Sequence, residues 1–174
     1  IQPIINISQR TGVPVEVMTF LGSSPIRMYT EGWDEQRLED LTRTAVSMAV
    51  KAGLPTSFVT EDTVRSKPAV LHRLFTAAVE EGASRLVLCD TVGHSTPNGV
   101  FNLIHWSHDL LLGLNARESV KLDWHGHDDR GLSLVNAIYA IEAGVDRVHG
   151  TVLGIGERVG NTPLDLLLAN MKLL

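Results

Sequence analysis

Short apolar runs alternate with stretches of helical periodicity along the whole of this 174-residue chain, and that alternation sharply limits what it can fold into. The runs are "VPVEVMTFLG" (13–22), "GLPTSFVTED" (53–62), "SRLVLCDTVG" (84–93), "SVKLDWHGHD" (119–128) and "DRVHGTVLGIG" (146–156). Between them lie patterns of period 3.6. In "DEQRLEDLTRTAVSMAVKAG", Leu38, Leu41, Ala45, Met48 and Ala49 form one stripe, and Gly53 stops the helix. "KPAVLHRLFTAAVEEGA" has Pro68 near its start and Gly82 as its stop. "TPNGVFNLIHWSHDLLLG" opens with Thr96 as an N-cap and Pro97 at the first helical position. "GLSLVNAIYAIEAG" and "TPLDLLLANMKLL" repeat the pattern, and "IQPIINISQRTG" reads as the end of an amphipathic helix stopped by Gly12.

Strand–helix units in tandem imply parallel strands joined by right-handed crossovers. Two architectures then compete, a closed (β/α)8 barrel and an open doubly wound sheet. An open sheet that binds a dinucleotide usually carries a G-x-G-x-x-G turn after its first strand, and neither "LGSSPIR" nor "LGIGERVGN" fits one. Four of the five runs end in polar residues: Ser23–Ser24, Glu61–Asp62, Asp90–Thr91 and His125–His127. The fifth leads into "GERVGN". Chemistry gathered at the carboxyl ends of successive strands is the pattern of a barrel's catalytic face. The expectation is therefore an α/β fold, a (β/α)8 TIM barrel. Five units do not close a barrel of eight, so residues 1–174 read as a partial TIM-barrel catalytic domain covering barrel strands three to seven. Two strands are expected before Ile1 and the last beyond Leu174.

Composition narrows the classes further. A hydrophobic fraction of 44% and a mean hydropathy of +0.08 fit a soluble globular domain. A net charge of −5 without a basic cluster gives no footprint for nucleic acid or a membrane surface. Cys89 is the only cysteine, which excludes an internal disulfide and fits a reducing compartment. No apolar run approaches the roughly 18–20 residues of a membrane span, and no leader is visible. The cytoplasm is the expected location.

The chemistry concentrates in three motifs. In an extended strand His125 and His127 point to one face, about 6.5–7 Å apart at their Cα atoms, and two such imidazoles can ligate one divalent ion. They can equally be ordinary polar residues at a strand end. Asp123 shares their parity one layer deeper and is placed to orient a ring N–H. "LGIGERVGNTP" follows a strand and offers Glu157, Arg158 and Asn161 in a glycine-rich loop. Arg158 is a candidate substrate-binding residue; Asn161 can offer an oxygen ligand, and Asn161 or Thr162 can cap a helix begun by Pro163, two readings that can hold together. In "CDTVGHSTP", Thr91 follows a strand, and His94 is either functional or a surface residue. Cys89 reads as a core residue, since nothing near it in sequence would activate a thiol.

Taken together, "CDTVGHSTP", "DWHGHDDRGLSLVNA" and "LGIGERVGNTPLDLLLANMKLL" resemble the α-isopropylmalate synthase and homocitrate synthase group of metal-dependent barrel enzymes. The resemblance runs through essentially the whole chain, including "TEDTVRS". It implies that His125 and His127 bind a divalent metal ion (Mg, Mn or Zn) and that Asn161 completes or borders its sphere. It implies that Thr91 contacts a 2-oxo acid and that Glu157 supports the site. Ser57 stands where some relatives carry a larger charged residue facing the substrate, and Asp128 and Arg130 replace an Asn and a Leu common in isopropylmalate synthases. The group's strand-one Arg-Asp-Gly or Arg-Asp-Glu triplet, which supplies a further metal ligand, has no counterpart here. The implied activity is an acyltransferase condensation of acetyl-CoA with a 2-oxo acid in amino-acid biosynthesis. His94 and Glu61, at strand ends, are the candidate bases.

Three rivals stand beside that reading. A 3-hydroxy-3-methylglutaryl-CoA lyase of the same superfamily would carry a catalytic cysteine in the loop that here reads "GIGERVGN". A biotin-dependent carboxyltransferase would need a lysine at the metal, and no lysine falls at a strand end. A non-catalytic truncated barrel is favoured only by the missing triplet. Open strand edges predict contact with further copies of the chain, a homo-oligomer.

Overall fold

The computed structural model describes residues 1–173. Its sheet has strands β1 (Val17–Gly22), β2 (Thr56–Glu61), β3 (Arg85–Asp90), β4 (Lys121–Gly126) and β5 (Arg147–His149). Every neighbouring pair is parallel, and the spatial order is the chain order. A doubly wound sheet reverses its strand order at a switch point. This sheet does not, so the open-sheet alternative falls and the sheet is a section of barrel wall. The helices are α1 (Gln2–Thr11), α2 (Pro25–Glu31), α3 (Glu35–Lys51), α4 (Pro68–Glu80), α5 (Pro97–Gly113), α6 (Ser133–Glu142) and α7 (Leu164–Leu173).

Alternation along the strands divides the molecule into an outer and an inner side. Leu21, Phe58, Leu86, Leu88, Leu122 and Trp124 pack outward into a core completed by Leu38, Val46, Leu74, Phe75, Ile104 and Leu111 from the helices. Phe75 meets Phe58 edge to face at 6.3 Å. Each such side chain contributes about 1.5–3 kcal/mol by leaving water, which holds the helices against the outer face of the sheet. The opposite parity faces the barrel interior, where Val59, Val87 and Cys89 form a small apolar floor.

Local signals account for most boundaries. Thr96 caps α5 by accepting from the Gly99 N–H at 3.2 Å, and Pro97 and Pro68 open their helices. Three readings change. On α3 the buried stripe is Leu38, Thr42, Val46 and Ala49, turned from the expected one, while Met48 is partly exposed. Thr42 is admitted because its hydroxyl donates to the Leu38 carbonyl at 2.8 Å. A short helix, α2, fills what reads as a polar strand end: Ser24 is its cap and Pro25 its first residue. The fifth strand is only three residues long, because the chain turns at Val152–Gly154 with Leu153 at φ 58.

Candidate metal and substrate site

β4 delivers the histidine pair. His125 Nε2 and His127 Nε2 face each other at 3.2 Å, with the ring planes 84° apart. Two nitrogens each about 2.0–2.1 Å from one ion would stand about 3 Å from each other, so the observed spacing suits a shared cation. Burial, reinforced by the charges of His127 and His149, lowers the His125 pKa to about 4, so the ring is neutral and keeps a lone pair at physiological pH. Asn161 joins from the loop after β5, where it forms an isolated antiparallel bridge to His127. Gly156 leaves the space the Asn161 amide occupies; a Cβ there would collide with Nδ2. Two buried polar atoms here, Asn161 Oδ1 and the pair's own His127 Nδ1, have no partner among the described residues. A buried amide oxygen without a donor is costly unless something else meets it, and a cation would. No group of three or more His, Cys, Asp and Glu side chains converges here among the described residues. Asn161 is the candidate third donor from this chain.

The pair opens into a cavity of about 620 Å³ at the carboxyl ends of the strands. His125, His127, Asn161, Thr91, Glu61 and Glu157 all line it, so six of the nine residues singled out in the sequence come together. The Thr91 hydroxyl accepts the Asp62 N–H at 2.8 Å, which leaves its own proton to donate inward. Glu61 carries a buried Oε2 with no hydrogen bond. Glu157 is highly exposed at the rim. Met18, Phe20, Val59, Val87 and Cys89 supply apolar wall. Burial first, then the charges of Glu61 and Asp90, push the Cys89 thiol up to about 12, so it is a wall residue and no nucleophile.

Three expected residues lie elsewhere. Ser57 faces inward but at the opposite end of β2, four residues below Glu61, where it is fully buried and donates to Glu16 Oε1. Period-two alternation gives it the right face at the wrong depth. His94 is exposed on the wall of a different cavity, of about 430 Å³, that also takes in Leu71 of α4 and Trp106 of α5. Its backbone is held by Asp90 and Arg130, which turn the loop outward. Arg158 is already occupied: Nε and Nη2 grip the Asp129 carboxylate at 2.8 and 3.0 Å, and Nη2 also donates to the Thr91 carbonyl at 2.6 Å. It ties three strand-end loops together rather than pointing into the cavity.

Sequence reasoning missed two cavity residues. His149 of β5 donates from Nε2 to Asp123 at 3.1 Å, its ring 5.6 Å from that of His125. Asp123 thus orients an imidazole, but of His149 rather than of the His125/His127 pair. Arg27, from the unforeseen helix α2, also lines the cavity.

Residues 5–174 match the HMGL-like family model. The chain belongs to the HMGL-like family. Within the family it is similar to 2-isopropylmalate synthase of Pyrococcus abyssi (strain GE5 / Orsay), 35% identical over 150 residues, covering 86% of this chain and 30% of the relative. It is also similar to mitochondrial homocitrate synthase of Schizosaccharomyces pombe (strain 972 / ATCC 24843), 33% identical over 165 residues, covering 95% of this chain and 38% of the relative. The chain thus spans well under half the length of these curated relatives. Among solved structures it resembles hydroxymethylglutaryl-CoA lyase from Pseudomonas aeruginosa, with a TM-score of 0.77 at 18% identity, covering 96% of this chain and 58% of that one. That likeness supports the partial TIM-barrel fold and nothing finer.

Proposed function

We propose that this HMGL-like segment carries the metal and 2-oxo acid site of an enzyme that condenses acetyl-CoA with a 2-oxo acid, giving a 2-alkylmalate-type product of the isopropylmalate, homocitrate or citramalate kind. The observation that carries the reading is the 3.2 Å approach of two Nε2 atoms beside an unpartnered buried amide oxygen. His125, His127 and Asn161 would hold a divalent ion (Mg, Mn or Zn). Such an ion supplies Lewis-acid polarisation of a keto carbonyl. Thr91 donates its proton to the acid's carboxylate, an orientation set by the Asp62 N–H. Glu61, its Oε2 without a hydrogen bond, is the group best placed to take the proton from the acetyl methyl. The carbanion then attacks the keto carbon, and thioester hydrolysis releases CoA.

The reverse cleavage by a lyase fits less well. No cysteine lies in residues 154–161, and Cys89 is buried with its thiol held protonated. The test uses the full-length protein with acetyl-CoA and pyruvate, 2-oxoisovalerate or 2-oxoglutarate, following CoA release with a thiol reagent. Wild type is expected to hold about one divalent ion per chain. The double variant His125→Ala/His127→Ala should hold none by elemental analysis; undiminished metal in it would defeat the site.

A further inference from the structure

Arg27 is an arginine whose acidic neighbours do not close on it. It occupies the third position of α2, and its Cγ lies over Gly22, where any Cβ would collide with it and stand 2.8 Å from Glu61 Oε2. The nearest carboxylate oxygens are Glu31 Oε1 at 3.5 Å and Glu61 Oε2 at 3.6 Å, both measured from Nε and both too long for a hydrogen bond. Arg27 Nε and Glu61 Oε2 are each buried without a partner. Since Nε is buried while the side chain as a whole is 42% exposed, the accessible part includes the two-pronged Nη end. Arg85, Arg147 and Arg158, by contrast, each donate to a carboxylate at 2.7–2.8 Å. Arg27 lines the same cavity as His125 and His127, with Val59 and Val87 among the apolar residues they share.

We propose that Arg27 receives the distal carboxylate of a 2-oxo dicarboxylic acid, whose oxo end lies at His125 and His127 and whose methylenes lie against Val59 and Val87. The inference rests on the reading of this cavity as a 2-oxo acid site and narrows its substrate class. A planar guanidinium fork matches a carboxylate through two parallel hydrogen bonds. Arg27, from the helix that follows β1, and the histidine pair at the end of β4 line one cavity of about 620 Å³. A 2-oxo diacid would present a carboxylate to each of them, whereas a monocarboxylic acid would leave Arg27 unmet.

Calorimetric titration of the full-length, metal-loaded protein separates the possibilities, with 2-oxoglutarate, 2-oxoisovalerate and CoA as probes. Wild type is expected to prefer 2-oxoglutarate. Arg27→Gln should weaken it at least about tenfold, the size expected for a lost charged hydrogen bond, and change 2-oxoisovalerate less than about threefold, with metal content unaltered. Arg27→Lys, which keeps charge but not the fork, should fall between; if the glutamine variant does not fold, any loss confined to the diacid in the lysine variant supports the assignment. Equal losses for both acids, no loss for either, or a loss confined to CoA would overturn it, the last by making Arg27 a phosphate reader. Wild type that binds neither metal nor acid would overturn the site itself. Intact metal and acid binding that ignores Arg27 would overturn this inference alone.

Discussion

The inner face of the sheet has two layers of polar residues, and they treat hydrogen bonding in opposite ways. In the lower layer Asp123, with no exposed surface, accepts from Arg85 Nη1 at 2.7 Å, Arg147 Nε at 2.7 Å and His149 Nε2 at 3.1 Å. Glu16 accepts from Arg147 at 2.8 and 3.0 Å and from Ser57. In the upper layer His127 Nδ1, Asn161 Oδ1, Glu61 Oε2 and Arg27 Nε are all buried and all without partners. Native interiors leave few polar atoms unsatisfied, so four around one cavity support the proposal that a ligand is met here. Saturated hydrogen bonding toward the amino ends of the strands and unpaired polar atoms toward the carboxyl ends agree with the proposal that the barrel's base stabilises and its carboxyl face reacts.

The sharpest way to break that contrast is to remove one acceptor from each layer. Asp123→Ala removes a fully buried acceptor from Arg85, Arg147 and His149; Arg147 keeps Glu16 and both guanidinium groups are partly exposed, so the change is expected to cost about 2–3 kcal/mol in urea unfolding. Asn161→Ala removes an oxygen that has no partner to lose, and its stability should stay within about 1 kcal/mol of wild type. Its metal affinity should nevertheless drop by at least about tenfold. Similar stability losses in the two variants would erase the distinction between the layers.

Arg158 tests the boundary between structure and site at a smaller scale. Its grip on Asp129, which holds that carboxyl below its usual range, lies at the surface, so Arg158→Ala should cost about 1 kcal/mol or less. The expected signature is local: faster amide hydrogen exchange across residues 151–161, with metal content retained. Unchanged exchange there would return Arg158 to the role of a substrate ligand.

What the sequence disclosed followed from periodicity. Five strands, their order and the shared face of His125 and His127 are consequences of alternation, and alternation is visible in the letters. Depth along the barrel axis is not. Ser57 and Glu61 have the same parity on β2, yet one belongs to the base and the other to the mouth. His94 failed for a related reason, since a loop residue has no parity to read. Arg27 went unnoticed because α2 is only seven residues long, although Ser24-Pro25 was a legible start signal. His149 lay in the strand "RVH", where Arg147 and His149 on alternate positions pointed to a polar inner face that Asp123 would meet.

The smallest expected effect concerns pH and sets the lower layer's own limit. The hydrogen bond from Arg147, with a further one from Ser57, outweighs burial and holds the Glu16 carboxyl at about 2 against an ordinary 4.5. A carboxyl whose folded value is lowered stabilises the fold above its unfolded value, because the unfolded chain takes up the proton first as pH falls. The contribution should therefore be whole above pH 4.5 and vanish progressively toward pH 2. Glu16 is about one-third exposed, so its magnitude is that of a partly screened pair, about 1 kcal/mol or less. Glu16→Gln should lie below wild type in unfolding free energy at pH 7, and the two curves should converge across that acid window. A gap of constant size down to pH 2 would mean that the ionised carboxylate adds nothing, and the base of the barrel would then rest on Asp123 alone.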